Sequence, residues 1–138
     1  MARFSSLGFL YNINTKSVLL HHRDDKTPVN PNKWAFFGGS NEGPETPVQA
    51  FIREIKEELG VTIHEDEVIQ LRDYFNEQFQ RHRYVFYAKS KLAEAEFILR
   101  EGQGLAWVPL EEVFSYDITE KTKNDLEFFI KFVVKDSL

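Results

Sequence analysis

Apolar positions fall in short runs separated by polar, turn-forming clusters, and the runs change period along the chain. Phe4 to Tyr11 and Ser17 to His22 read as strands, joined by the turn-like Asn12-Ile13-Asn14-Thr15-Lys16. Arg23 to Lys33 contains Pro28 and Pro31 and predicts a loop. Trp34 to Phe37 is a short strand running into Gly38 and Gly39. The period then becomes helical: Val48, Phe51, Ile52, Ile55 and Leu59 make one apolar stripe over Thr46 to Leu59. Thr46 is placed to cap that helix, with Pro47 at its first position and Gln49 completing a capping box; Gly60 marks its stop. Val68 to Phe75 and Arg83 to Lys89 predict an antiparallel pair around a polar turn near Asn76 to Gln80.

Lys91 to Leu99 suits either helix or exposed edge, with strand favoured from Glu96 onward. Leu105 to Val108 predicts a brief strand, and Pro109 to Phe114 a turn of helix. From Asp117 or Thr119 the tail is helical, with Leu126, Phe129, Ile130 and Val133 as its buried stripe. Phe128 and Phe132 fall off that stripe. Side packing is the first reading for them; a base-stacking wall or a homodimer contact is the alternative. Strands on both sides of one central helix, followed by a terminal helix, predict an α/β fold with a mixed sheet between helices.

The central helix carries an unfavourable charge arrangement. Glu54, Glu57 and Glu58 gather beside the apolar stripe, and Glu54 and Glu58 are like charges one turn apart. Such pairs weaken a helix by about a few tenths of a kcal/mol. A divalent cation turns the repulsion into attraction, and hard cations such as Mg²⁺ take carboxylates and phosphates together. The plainer alternative is a solvated acidic face softened by Arg53 and Lys56.

The spacing around the acids weighs against the plain alternative. Gly39 is followed after five residues by Glu45, and after seven more by Arg53-Glu54-Ile55-Lys56-Glu57-Glu58-Leu59-Gly60-Val61. This stretch, residues 39–61, resembles the complete box of the Nudix hydrolase family. Trp34-Ala35-Phe36-Phe37-Gly38 is similar to the strand that leads into the box, although Phe37 stands where many members have proline. The resemblance extends over nearly the whole chain, 1–138, as one domain. It implies a Nudix-type α/β/α sandwich with a mixed central sheet.

Function follows from the same resemblance. It implies a Mg²⁺-dependent hydrolase, with Mn²⁺ a substitute, that cleaves a diphosphate bond in a nucleoside diphosphate linked to another group. Glu54, Glu57 and Glu58 hold the metal, with the main-chain carbonyl of Gly39 as a further ligand. Arg53 steers a box glutamate, and Glu45 either receives that contact or lies near a helix N-terminus for its charge alone. Gly38 and Gly39 admit phosphate close to the backbone. Arg100 to Trp107 resembles the loop that often carries a base in this family, which makes Glu101 the candidate, with Glu77 next. Arg23 and Lys26 are candidates for terminal phosphates, and Trp34, Phe36, Tyr84 and Phe86 for stacking a base; solvated charge and core are the plain alternatives. Arg81-His82-Arg83 is a basic cluster with no assigned task. The short chain resembles members that hydrolyse nucleoside triphosphates, including oxidised ones, to a monophosphate and pyrophosphate. ADP-ribose or nucleotide-sugar pyrophosphatase is the second reading, and a non-catalytic nucleotide-sensing module the third.

Composition narrows the setting. The 138 residues include 42% apolar residues and 13 Phe, enough for a core and against disorder. The net charge of -5 argues against a general nucleic-acid-binding surface or an RNA-end enzyme. No cysteine is present, so disulfide and thiolate chemistry are excluded. No apolar run approaches membrane-spanning length and MARFSSLGFLYN lacks a signal-peptide core, so a cytoplasmic protein without a membrane partner is expected.

Overall fold

A computed structural model describes residues 3–135. The sheet is built on two adjacent long strands. β1 (Phe4–Asn12) lies parallel to β6 (Arg81–Lys89), and β5 (Val68–Asn76) closes that side antiparallel to β6. On the other side of β1, β2 (Ser17–His22) pairs only at Tyr11 and Asn12 and then diverges. The gap is filled by one segment shared between them. β3 (Trp34–Ala35) pairs with β2, the chain breaks at Phe36, and β4 (Phe37–Ser40) pairs with β1. β7 (Gly104–Pro109) runs antiparallel along the outer edge of β2.

One helix covers each face. α1 (Pro47–Leu59) starts with the expected capping box between Thr46 and Gln49 and ends at Gly60 in the left-handed conformation. Its Phe51, Ile55 and Leu59 are fully buried with Leu10, Leu19, Phe37 and Phe86. Each such side chain contributes about 1.5–3 kcal/mol by leaving water. α2 (Glu120–Phe129), capped by Thr119, packs Leu126 and Phe129 against Phe9, Tyr11 and Phe36. Consecutive Phe36 and Phe37 therefore serve opposite cores, as strand alternation requires. The arrangement is an α/β/α sandwich with a mixed sheet.

Four details differ from the expectation. The strand from Trp34 is two strands with different partners, because it bridges a splayed gap. No strand starts at Glu96. Glu94–Glu96 is a 3₁₀ turn, and Glu94 reaches β7 by its carboxylate, accepting from the Trp107 amide at 2.9 Å, instead of by a backbone ladder. The helical turn near Pro109 is a 3₁₀ turn at Val113–Ser115. After α2 the chain widens into a π turn, Ile130–Val134, which shifts the phase: Val133 is 43% exposed and Val134 is buried in its place. Helix at residues 136–138 lies outside the described residues. Phe128 is half-buried, stacked under the Arg72 guanidinium at 4.7 Å and beside Phe132 at 4.6 Å, which is side packing on the outer surface of α2.

Candidate active site

The splay between β1 and β2 opens a cleft of about 710 Å³ on the α2 side of the sheet. One end holds Gly38, Gly39, Glu58, Glu101 and His21; the other reaches Arg81, Arg83 and the N-terminus of α2 at Thr119 and Thr122. The glycine stretch is there because β4 runs very close to β1. A Cβ on Gly38, whose φ is +139°, would lie 2.2 Å from the Ser6 carbonyl oxygen. A Cβ on Gly39 would meet Glu54 Oε1 at 2.9 Å, so the Gly39 backbone sits directly against a box carboxylate.

Glu54 and Glu58 touch each other across one turn of α1. Glu58 is buried, accepts the Gly38 amide at 3.0 Å, and is hydrogen-bonded to Glu54. Burial first, then the neighbouring Glu54 and Glu101 carboxylates, push the Glu58 carboxyl up to about 9. Burial also raises Glu54, partly offset by Arg53. Glu57 is turned outward, 53% exposed, with its carboxylate on Arg53 Nη1 at 3.0 Å.

Arg53 ties the acidic helix to the loop before it. It donates through Nε and Nη2 to Glu45 at 2.6 and 3.1 Å, through Nη2 to the Ser40 carbonyl at 3.1 Å, and through Nη1 to Glu54 at 3.0 Å. The bidentate pair lowers the Glu45 carboxyl and raises the Arg53 guanidinium.

Among the described residues no three of His, Cys, Asp and Glu stand close enough together to hold a metal. Two do approach: Glu54 and Glu58, with the Gly39 backbone against them. Their donors are all oxygen, and the two carboxyls crowd each other and are both raised by burial, which a cation between them would relieve. The set therefore fits a hard divalent ion whose remaining positions are filled by water and substrate oxygens.

The remaining candidates are distributed around the cleft. Glu101 lines it beside Glu58, with an exposed side chain and a fixed backbone. His21, stacked on Phe37 at 5.1 Å, donates from Nε2 to the Glu101 carbonyl at 2.8 Å. Burial lowers the His21 imidazole below its usual range, in agreement with a neutral donor. Gly102 has φ +84°, and a Cβ there would lie 2.0 Å from His21 Nε2. Arg23 lines the cleft, but its guanidinium is held by its own loop, donating to the Asn30 and Val29 carbonyls and to Thr27. Lys26 and Glu77 are exposed and do not line the cleft. Phe36 lines its floor while 3% exposed, with its ring 5.0 Å from Phe9. Trp34 stacks on His22 at 4.5 Å, Tyr84 lies edge-on to Phe4, and Phe86 is fully buried.

Three contributors were assigned no role from the sequence: His21, Gly102 and Asp125. Asp125 had a signal. It falls on the inward face of α2 with Thr122, Leu126 and Phe129, where a charge needs a buried partner. Arg81, on the rim, donates to Ser40 Oγ, and its Nε is buried without a hydrogen-bond partner among the described residues.

A glycine-lined strand end with the buried Glu58 at one end of the cleft, and Arg53 and Glu54 behind it, is an arrangement suited to holding a hard cation and phosphate oxygens in an α/β/α sandwich. The NUDIX domain family model matches residues 1–132, and the chain belongs to that family. It is 31% identical to the nucleoside triphosphatase NudI of Escherichia coli O139:H28, over 82% of this chain and 87% of that one; NudI of Salmonella paratyphi B matches equally. Among solved structures it resembles MutT, from work on the Aliivibrio salmonicida and Vibrio cholerae proteins, with a TM-score of 0.78 at 21% identity over 96% of this chain and 100% of that one. The NUDIX domain of Shewanella oneidensis NrtR, solved with ADP ribose, gives 0.70 at 17% identity over 93% and 84%. The chain is thus a Nudix hydrolase acting on pyrophosphate bonds, in a family that acts on nucleotide substrates and generally uses divalent metals. No helix among the described residues is long and apolar enough to cross a membrane.

Proposed function

We propose that the protein is a Mg²⁺-dependent nucleoside triphosphate pyrophosphohydrolase, with Mn²⁺ a working substitute, that releases a nucleoside monophosphate and pyrophosphate. The observation that carries this reading is the buried Glu58 paired with the half-buried Glu54, both set against the Gly38–Gly39 backbone, with Glu58 at one end of a nucleotide-sized cleft. The relatives named nucleoside triphosphatase support the substrate class. A cytoplasmic setting, where such nucleotides are made and used, belongs to the same reading.

In this reading Glu54, Glu58 and the Gly39 carbonyl would hold the ion, and Glu57, turned outward onto Arg53, helps to fix that guanidinium. When bound, the ion supplies charge neutralisation for the diphosphate and a lowered pKa for a coordinated water. The chain's own residues do the rest. Arg53 fixes the orientation of Glu54 and keeps Glu45 ionised beside it. The extended glycine backbone lets phosphate oxygens approach without a side chain in the way. Glu101, on its pinned loop, accepts the proton of the attacking water or serves as an additional ligand. Arg23 binds the phosphate chain, and Phe36 lies under the nucleoside.

The test is a release assay with Mg²⁺ across nucleoside triphosphates, ADP-ribose, nucleotide sugars and dinucleotide polyphosphates. Triphosphates turned over to monophosphate and pyrophosphate are the expected result. Turnover confined to ADP-ribose or sugars overturns the substrate class, and tight binding without product from any compound overturns catalysis in favour of a sensing module. Glu58→Gln should remove orders of magnitude of turnover while circular dichroism stays unchanged. Calorimetry of Mg²⁺ uptake by wild type and Glu58→Gln reads the site independently of activity.

A further inference from the structure

Asp125 is fully buried on α2, and both its oxygens are occupied. Oδ1 accepts from Arg72 Nε and Nη2 at 3.0 and 2.8 Å and from the Tyr74 hydroxyl at 3.0 Å. Oδ2 accepts from Arg83 Nε and Nη2 at 3.1 and 2.9 Å. Arg72 is taken up on the outer side by stacking with Tyr74 and Phe128. Arg83 instead lines the cleft, its side chain 9% exposed and its guanidinium 6.0 Å from the Phe36 ring. The carboxylate grips the Nε–Nη2 edge of that guanidinium and leaves its Nη1 outside that pair.

Arg83 is far from the phosphate end. Ser40 on β4 opposes Ser5 on β1, and Ser5 opposes Arg83 on β6. Two strand spacings, roughly 10 Å, therefore separate the glycine stretch from the Arg83 backbone. The floor beside Arg83 is apolar, made by Leu7 and Phe36, and Thr119 and Thr122 stand opposite. A nucleotide whose diphosphate lies at Gly38–Gly39 has this part of the cleft available for its base. Asp125, shared between Arg72 and Arg83, offsets part of their charge, and the apolar floor of Leu7 and Phe36 suits a flat neutral partner.

Resting on the triphosphate reading above, we propose that Arg83 is a specificity-determining residue that reads the exocyclic group of the nucleobase, with Asp125 its positioning residue. A guanidinium only donates. It pairs with the keto oxygen of guanine, uracil or thymine, and leaves a donor facing a donor at the amino group of adenine or cytosine. A site built this way discriminates because the wrong base leaves buried donors unpaired.

The experiment measures kcat/KM for two near-isosteric pairs, GTP against ATP and UTP against CTP, in wild type and Arg83→Met. Arg83→Met leaves Asp125 paired to Arg72 and Tyr74, so the layer contact survives. Wild type should prefer the keto partner by about 10- to 100-fold in each pair. The preference should fall to within about 3-fold in Arg83→Met, mostly through loss on the keto partner. Asp125→Asn should lower the ratio in the same direction. Binding of GMP and AMP by calorimetry repeats the comparison without turnover. A keto preference that depends on Arg83 in binding, with no triphosphate hydrolysed, removes the proposed reaction and keeps this assignment. Turnover with equal rates in both pairs, or with a ratio indifferent to Arg83→Met, overturns the assignment and leaves the reaction standing.

Discussion

A carboxyl lifted to about 9 by burial makes Glu58 a destabilising residue in the metal-free protein near neutrality. In the unfolded chain the same group titrates near 4.5. Below that value both states hold the proton and the folded state loses nothing. As pH rises toward 9 the unfolded chain gives up a proton that the folded protein must keep, so stability falls across this window. In the function proposed above, a divalent ion would replace that proton and remove the penalty. The thermal gain on adding Mg²⁺ should therefore grow as pH rises from about 5 to about 8.5, and Glu58→Gln should flatten that growth. Melting curves with and without Mg²⁺ at several pH values decide it; a gain independent of pH contradicts a raised Glu58 carboxyl at the metal site. His21 works in the opposite sense. Burial depresses its imidazole, so its contribution is full above about 6.5 and is lost as pH falls below it.

The acidic helix and the Glu101 loop show how much a single element discloses of itself. α1 was legible in full, because cap, stripe and stop are written within its own residues and the helix forms as written. The box spacing marked Glu54 and Glu58, which stand at the glycines, and also Glu57, which turns outward onto Arg53. The break at Phe36 and the phase shift at Val133 were not legible. The first is dictated by two strands diverging elsewhere in the chain, and the second by a wide turn that no local residue marks. The loop at Glu101 lies between these cases. Its glycines were visible, but their purpose needed His21, eighty residues earlier, whose ring occupies the space beside Gly102. Gly102→Ala should cost about 1–3 kcal/mol, since φ is +84° and the added methyl meets His21 and the His22 carbonyl. It should also lower kcat by displacing Glu101. Denaturant unfolding and single-turnover rates measure the two effects; unchanged turnover in a folded variant would separate Glu101 from the chemistry.

On the scale of the molecule, two apolar cores hold the helices to the sheet, and one charge reaches across the α2 layer. Asp125 joins α2 to β5 through Arg72 and Tyr74 and to β6 through Arg83. Removing a buried partner leaves the opposite charge without compensation, which typically costs about 3–5 kcal/mol. That is a large share of the total for a domain whose stability is of order 5–15 kcal/mol. Arg83→Met should be milder than Asp125→Asn, because it leaves the carboxylate with Arg72 and Tyr74, whereas Asp125→Asn strands Arg83 between Phe36 and the sheet. The double variant should cost less than the sum of the two, since the arginine stranded by one change is deleted by the other. Urea unfolding of the four proteins gives the coupling directly. Strict additivity would mean that Asp125 and Arg83 do not share an interaction in solution, and the nucleobase assignment built on that pair would lose its anchor as well.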